Sequence, residues 1–262
     1  MNSFRYFRVL SIAACALLSL PACSSADDSP VPEPEEMEPV TMLDLADVKT
    51  NPDTYDWFDF RPNVLKLILA GAAETEHIAV LWYTVPDGGV GLHYHAKTES
   101  VYVIEGTQTD GKGMYPTGTV YFNPPGSGHQ ITDSSGFFLL AYAAPPDFAA
   151  TVQIGEYEPF RLDTTDSELT SDYPFEEQDG GADVFTVPLD ESGGLKAELL
   201  TIESDASYAF TGNYVLVLDG SCDIDGVPFA TEMLAVGKTV TPRIYELTAT
   251  GGDSCLAMGV SF

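Results

Sequence analysis

Basic residues are scarce in this chain. Lys and Arg number 11 against 40 Asp and Glu, a net charge of −29, so phosphate backbones are repelled rather than gathered and nucleic acid is excluded as a partner class. Acidity of this kind also suits a saline habitat or plain solubility, and names no ligand by itself. Histidine is scarcer still, at four in 262 residues. Long apolar runs are missing apart from residues 9–20, which are too few to span a bilayer as an ordinary transmembrane helix. No long amphipathic helical pattern interrupts the chain. What is plentiful is glycine (23), proline (18), tyrosine (13) and phenylalanine (14), set among short runs of Val, Thr and Ile. That mixture is expected of turns joining β-strands, and it predicts an all-β protein.

Arg5 and Arg8 precede the apolar run, which ends in Leu20-Pro21-Ala22-Cys23. This order resembles an export signal closing on a bacterial lipobox. The resemblance implies a signal peptide over residues 1–22, lipid on Cys23, and, with Ser24 following, a lipoprotein of the outer membrane facing the periplasm. Membrane contact is then through the anchor only. Cys15 leaves with the signal, so Cys222 and Cys255 remain in the folded part. Outside the cytoplasm two leftover thiols suggest one disulfide, the alternative being two separately buried thiols.

Residues 23–40 are dense in proline and acid and poor in large apolar side chains, and read as a disordered tether. From 41 to 160 come strand-like runs such as HIAVLWYTV, SVYVIEG, GTVYFNP and FFLLAYA, with PDGG and DGKG turns between them. Residues 161–182 return to acidic, polar composition and read as a linker. A second strand-rich stretch, 183–262, repeats the first: TESVYVIEG (98–106) lies over GNYVLVLDG (212–220), and HQITDSSG (129–136) over YELTATGG (245–252). Two copies of one fold follow from the shared order and nearly constant offset.

Three of the four histidines fall in HYHAKTE (93–99) and PPGSGH (124–129). In a strand, residues two apart share a face, so His93 and His95 present both imidazoles to one space while Tyr94 faces away. A turn over residues 96–98 can bring the Glu99 carboxylate beside them, and Pro124, Pro125, Gly126 and Gly128 force a tight turn before His129. GGVGLHYHAKTESVYVIEG and Gly118, Pro124, Gly126 and His129 together resemble the two motifs of the cupin superfamily, with Asp133 and a leading glycine shifted to Gly88 as departures. The resemblance covers about residues 57–145, and within it GTQTDGKGMYPTGTVYFNPPGSGH resembles the ChrR-like group. It implies two cupin jelly-roll barrels in tandem, a bicupin, with His93, His95, Glu99 and His129 as ligands of one divalent transition metal in the first.

Three imidazoles and a carboxylate suit Fe, Mn, Zn, Ni or Cu. Four protein ligands on an octahedral ion leave two positions open, enough for a substrate and O₂ or for water. Two functions are therefore expected in competition: a metal-dependent dioxygenase on a small oxygen-chelating, enolate or ketone substrate, with Glu99 as a candidate base, and a non-catalytic metal or ligand-binding sensor module. Oxalate-degrading cupins place an arginine three residues before the first histidine, where this chain has Val90. Tyr94, Tyr102 and Tyr115 are candidate donors around the ligands, with aromatic packing as the alternative for each. His77 is expected to be structural. Expected partners are a small molecule and, as a homodimer, a second copy of the chain. In the gap-free overlay the ligand positions become Ser207, Ala209, Asn213 and Tyr245, so the second barrel is expected to be degenerate and metal-free.

Overall fold

The computed structural model describes residues 40–262, apart from 152, 205 and 250–253. The signal sequence, Cys23 and nearly all of the tether lie outside the described residues. The remainder is almost wholly strand and turn. In the first barrel the strands Phe58–Arg61, Val64–Gly71, His77–Tyr94, Gly128–Tyr142, Glu99–Asp110, Thr119–Asn123 and Phe160–Asp163 pair in that spatial order, all antiparallel. The second barrel repeats this plan: Tyr214–Ile224 pairs with Val227–Ala230, Met233–Val236 and Cys255–Ser261 as Glu99–Asp110 pairs with Gly113–Pro116, Thr119–Asn123 and Gly128–Tyr142.

The strand runs are continuously apolar because both of their faces are covered. Val101 and Val103 point into the first barrel with Tyr83, Tyr121 and Phe138. Their neighbours Tyr102 and Ile104 point the other way, into a cluster shared with Leu199, Leu216 and Met258 of the second barrel. The two barrels are thus packed sheet to sheet, and each keeps its own interior. Both long strands of the first barrel turn a corner where Gly106 pairs with Gly136, at φ +91° and +96°. A Cβ at either would run into the carbonyl of Ser135 or Glu105, so only glycine fits. Gly220 occupies the matching corner of the second barrel at φ +76°.

Two domain boundaries differ from the sequence expectation. Thr41–Asp44, read as the start of the first domain, pairs with Met233–Val236 of the second. Asp44 caps the following short helix Leu45–Thr50, accepting from the backbone N–H groups of Ala46 and Asp47, and Leu43, Leu45 and Val48 enter the shared core. Short apolar segments carry no mark of which barrel they will join. The stretch 161–182 is also more than a connector: Phe160–Asp163 closes the first barrel against Thr119–Asn123, and Glu176–Glu177 starts the second against Ala182–Thr186.

Cys222 and Cys255, both fully buried, are joined as a disulfide with Cα atoms 5.7 Å apart, tying Tyr214–Ile224 to Cys255–Ser261 across 33 residues of sequence. Replacing both by serine is expected to lower stability by about 2–4 kcal/mol, read from urea unfolding with and without reductant. An unchanged midpoint would show that the link adds nothing.

Candidate metal centre

Strand pairing sets His93 opposite His129. Beyond the strand end, the His95 N–H donates to the Ser127 carbonyl (2.9 Å) and the Gly126 N–H returns to the His95 carbonyl (2.8 Å), which locks the PPGSGH turn against the first motif. Gly126 takes φ +83° there. The turn that delivers Glu99 is held from outside the first barrel. Thr98 N–H donates to the Gly193 carbonyl (3.1 Å), and the Lys97 ammonium to that of Ser192 (2.8 Å), both in the short 3₁₀ turn Glu191–Gly193. A Cβ on Gly193 would collide with the Thr98 side chain and press on Pro125.

All four expected ligands come together, buried, with one donor atom from each lying within 4.8 Å of the others. His95 Nε2 is 3.2 Å from His129 Nε2 and 3.3 Å from Glu99 Oε2, and His129 Nε2 is 3.5 Å from the same oxygen. Donors about 2.1 Å from a common ion and about 90–110° apart lie about 3.0–3.4 Å from one another, so this spacing fits one ion shared among them. The opposite ring nitrogens support that direction. His93 Nδ1–H donates to the Gly91 carbonyl (2.9 Å) and His129 Nδ1–H to Asp110 Oδ2 (2.8 Å), leaving both Nε2 atoms facing inward. Asn123 Nδ2 donates to Glu99 Oε2 at 2.8 Å. Among the described residues no second group of this kind exists.

The electrostatics suit a cation. Burial pushes His93 down to about 3 and His95 down to about 4. Burial acts the same way on His129, but hydrogen bonds to Asp110 and Glu99 outweigh it and raise this imidazole to about 9. Burial alone would raise Glu99, yet His95 and His129 hold its carboxyl well below the usual range. Asp110 is likewise lowered: burial opposes, while His129 and the backbone N–H groups of Lys112 and Gly113 prevail. Without an ion the site therefore keeps two carboxylates around one imidazolium, a place where a single proton stands in for the metal's charge.

Over the donors lies a narrow pocket walled by Phe60, Val90, Ile131, Leu140 and Phe148, with about 10 Å³ of free space, roughly one water. Phe148 stacks on His93 at 5.1 Å and Tyr142 on His95 at 6.2 Å. A much larger cleft, about 680 Å³, opens elsewhere along the seam between the barrels and holds none of the ligands. Hydroxyls and acids line it, among them Thr165, Asp166, Glu203 and Glu232.

Of the three tyrosines considered from sequence, Tyr115 reaches Asp110 Oδ1 at 3.4 Å and stacks on Tyr121, Tyr102 joins the shared core, and Tyr94 pairs through its backbone with Asp147. His77 packs on Tyr142 and is not one of the grouped donors. Asp110, Asn123 and Phe148 were not legible as site residues. Asp110 lies in the DGKG turn, where an aspartate is expected for turn chemistry alone, and it does serve that turn by accepting from Lys112 and Gly113. Asp110→Asn is expected to weaken metal affinity about 10–100-fold, read by competition with a chelator dye. Unchanged affinity would reduce Asp110 to a turn residue.

In the second barrel the structural register departs from the gap-free overlay. Tyr245 faces Phe210 across the strands as His129 faces His93, so Phe210 and Gly212, rather than Ser207 and Ala209, stand where the first motif's histidines stand. The connection to Asn213 is shorter there, with no counterpart of residues 96–98, and a gap-free overlay cannot register such a deletion. The Phe210 ring lies where a Cβ of Gly212 or Gly259 would be, filling the interior, and Tyr245 donates its hydroxyl to the Asn213 carbonyl at 2.7 Å. Among its described residues the barrel has an apolar plug where the first barrel has its grouped donors.

Fold and site together give a buried group of three imidazoles and a carboxylate at one end of the first of two barrels. Residues 45–145 match the family described as the ChrR cupin-like domain. By structure, the chain is similar to a candidate dioxygenase from Nostoc punctiforme (14% identity, 86% of this chain and 84% of that one, TM-score 0.55). It is also similar to a mutant of oxalate decarboxylase from Bacillus subtilis (12% identity, 84% and 76%, TM-score 0.48). At these identities the likeness concerns the fold, and of these two only the first exceeds a TM-score of 0.5. No curated protein matches the chain by sequence.

Proposed function

We propose that this is an exported, lipid-anchored protein whose first barrel binds one divalent transition metal through His93, His95, Glu99 and His129 and acts as a dioxygenase on a small oxygen-chelating substrate. The mutual spacing of four buried donor atoms carries the reading. A metal held there supplies Lewis acidity for an enolate or ketone oxygen pair and, if redox-active, electrons for O₂. The chain's own part is to hold and shield. Asp110 and the Gly91 carbonyl fix two imidazoles with Nε2 inward, Asn123 orients the Glu99 carboxylate, and the apolar wall excludes water. With its proton affinity held so low, Glu99 is a weak base and serves first as a ligand.

The test is metal analysis of protein purified without chelator, followed by O₂ uptake against a panel of β-diketones and phenolic ketones. Metal with no uptake on any of them would favour the second reading, a metal or small-ligand binding module, which the narrowness of the pocket supports. Lipidation rests on Leu20-Pro21-Ala22-Cys23. Cys23→Ser should move the protein from the membrane to the soluble fraction, and unchanged fractionation would sink the anchor.

A further inference from the structure

In a chain with 40 acids, two cations stand beside the metal pocket and neither makes an ion pair among the described residues. Lys66 is buried at 1% exposure, points inward from Val64–Gly71, and donates to His77 Nε2 at 3.1 Å. His77 can accept because its Nδ1–H is given to the Thr75 carbonyl (2.7 Å). The ammonium also lies 4.0 Å from the Phe60 ring centre and 4.9 Å from that of Tyr142. Arg61, half-buried, covers the outer side of the same wall, its guanidinium carbon 3.6 Å from the Phe148 ring centre and 4.6 Å from that of Phe60. It donates one hydrogen bond, to the Phe60 carbonyl at 2.6 Å, of the five its N–H groups allow. Asp59 and Asp147 adjoin Phe60 and Phe148 in sequence but are exposed, and neither pairs with Arg61.

The Glu99 carboxylate attracts Lys66 without a direct ion pair, cation–π contacts and one imidazole supply the rest, and Arg61 beside it is a like charge, an unfavourable arrangement. Local disagreement of this kind marks a place where the missing partner is a ligand. Counting charge, a divalent metal is balanced by Glu99 and Asp110, so Arg61, joined by Lys66 whose ammonium burial pulls down to about 8, leaves the pocket with a positive surplus. Phe148 is part of the pocket wall, so a ligand larger than one water that enters on this side comes beside the unused donors of the guanidinium stacked on that ring.

We infer that the substrate is an anion bearing a carboxylate in addition to its chelating oxygens, and that Arg61 is the specificity-determining residue that binds this carboxylate, with Lys66 adding to the attraction. The inference rests on the chelating-substrate reading above. Two probes separate them: pentane-2,4-dione, which offers only the enolate chelate, and 2,4-dioxopentanoate, the same chelate with one methyl replaced by a carboxylate. Calorimetry with the zinc-loaded full chain, which is redox-inert, measures both affinities without turnover.

The carboxylate probe is expected to bind roughly ten- to a hundredfold tighter than the diketone. Arg61→Gln should remove most of that ratio while leaving the diketone's affinity in place. Equal affinities in the unaltered protein, or a ratio that survives Arg61→Gln, would overturn the role of Arg61 and leave the chelating site standing. Binding of neither probe to the metal-loaded protein would overturn both.

Discussion

His93→Ala and His129→Ala are each expected to take the metal content from about one ion per chain to a small fraction of that, with the β-sheet circular dichroism kept. Each removes one of only three nitrogen donors in a buried set that has no spare ligand among the described residues. The fold should survive because the site sits at one end of an interior already filled by Val101, Val103, Tyr121 and Phe138. His129→Ala is the more disruptive of the two, since it also leaves the Asp110 carboxylate without its imidazole. Elemental analysis after dialysis reads the result, and full occupancy in both variants would refute the assignment. Acidity gives an independent check. Below about pH 9 the ion must displace the proton on His129, so affinity in the unaltered protein should climb roughly tenfold per pH unit from 7 toward 9 and then level. A flat profile would mean that no proton is displaced.

The second large effect concerns the partnership of the barrels. A fragment of residues 41–160 bares Tyr102, Ile104, Leu139 and the rest of its half of the shared cluster, and it keeps only the first residue of the closing strand Phe160–Asp163. Burying one large apolar side chain contributes about 1.5–3 kcal/mol, so exposing six costs about 9–18 kcal/mol, comparable to a typical domain stability of about 5–15 kcal/mol. The fragment is expected to aggregate or unfold and to retain no metal; a soluble, metal-loaded fragment would contradict this. A point change isolates the local part of the effect. Gly193→Val pushes a branched side chain into Thr98 and Pro125, and metal affinity is expected to fall about 10–100-fold with the overall fold kept, as when other supports of metal ligands are lost. Full affinity in that variant would show that the Glu99 turn holds its place unaided.

The grouping of these four side chains was legible because period-two spacing and turn chemistry act within a few residues: His93 and His95 share a face for the reason any strand residues do, and the prolines and glycines before His129 leave little conformational choice. The tandem architecture was legible because the repeat preserves apolar spacing. What sequence concealed is settled across the sheet or between barrels. Asp110 and Asn123 are ordinary polar residues until pairing sets them beside His129 and Glu99, and the hold of Gly193 on Thr98 joins residues from different halves. The overlay misplaced Ser207 and Ala209 for a related reason, because a short deletion in a turn is invisible to a comparison that allows no gaps.

The exchange of Thr41–Asp44 into the second barrel also bears on how the chain is made. A ribosome delivers this strand long before its partner, Met233–Val236. Until then Leu43, Leu45 and Val48 have only part of their eventual surroundings, and the Lys49 ammonium has no Glu232 to meet at 2.7 Å. Pairing at so long a range is slow, since the loop must close before any contact rewards it. The first barrel's strands are complete well before that moment, so the clasp must wait for the second barrel, and a chain arrested before Met233 leaves an apolar segment still looking for a sheet edge.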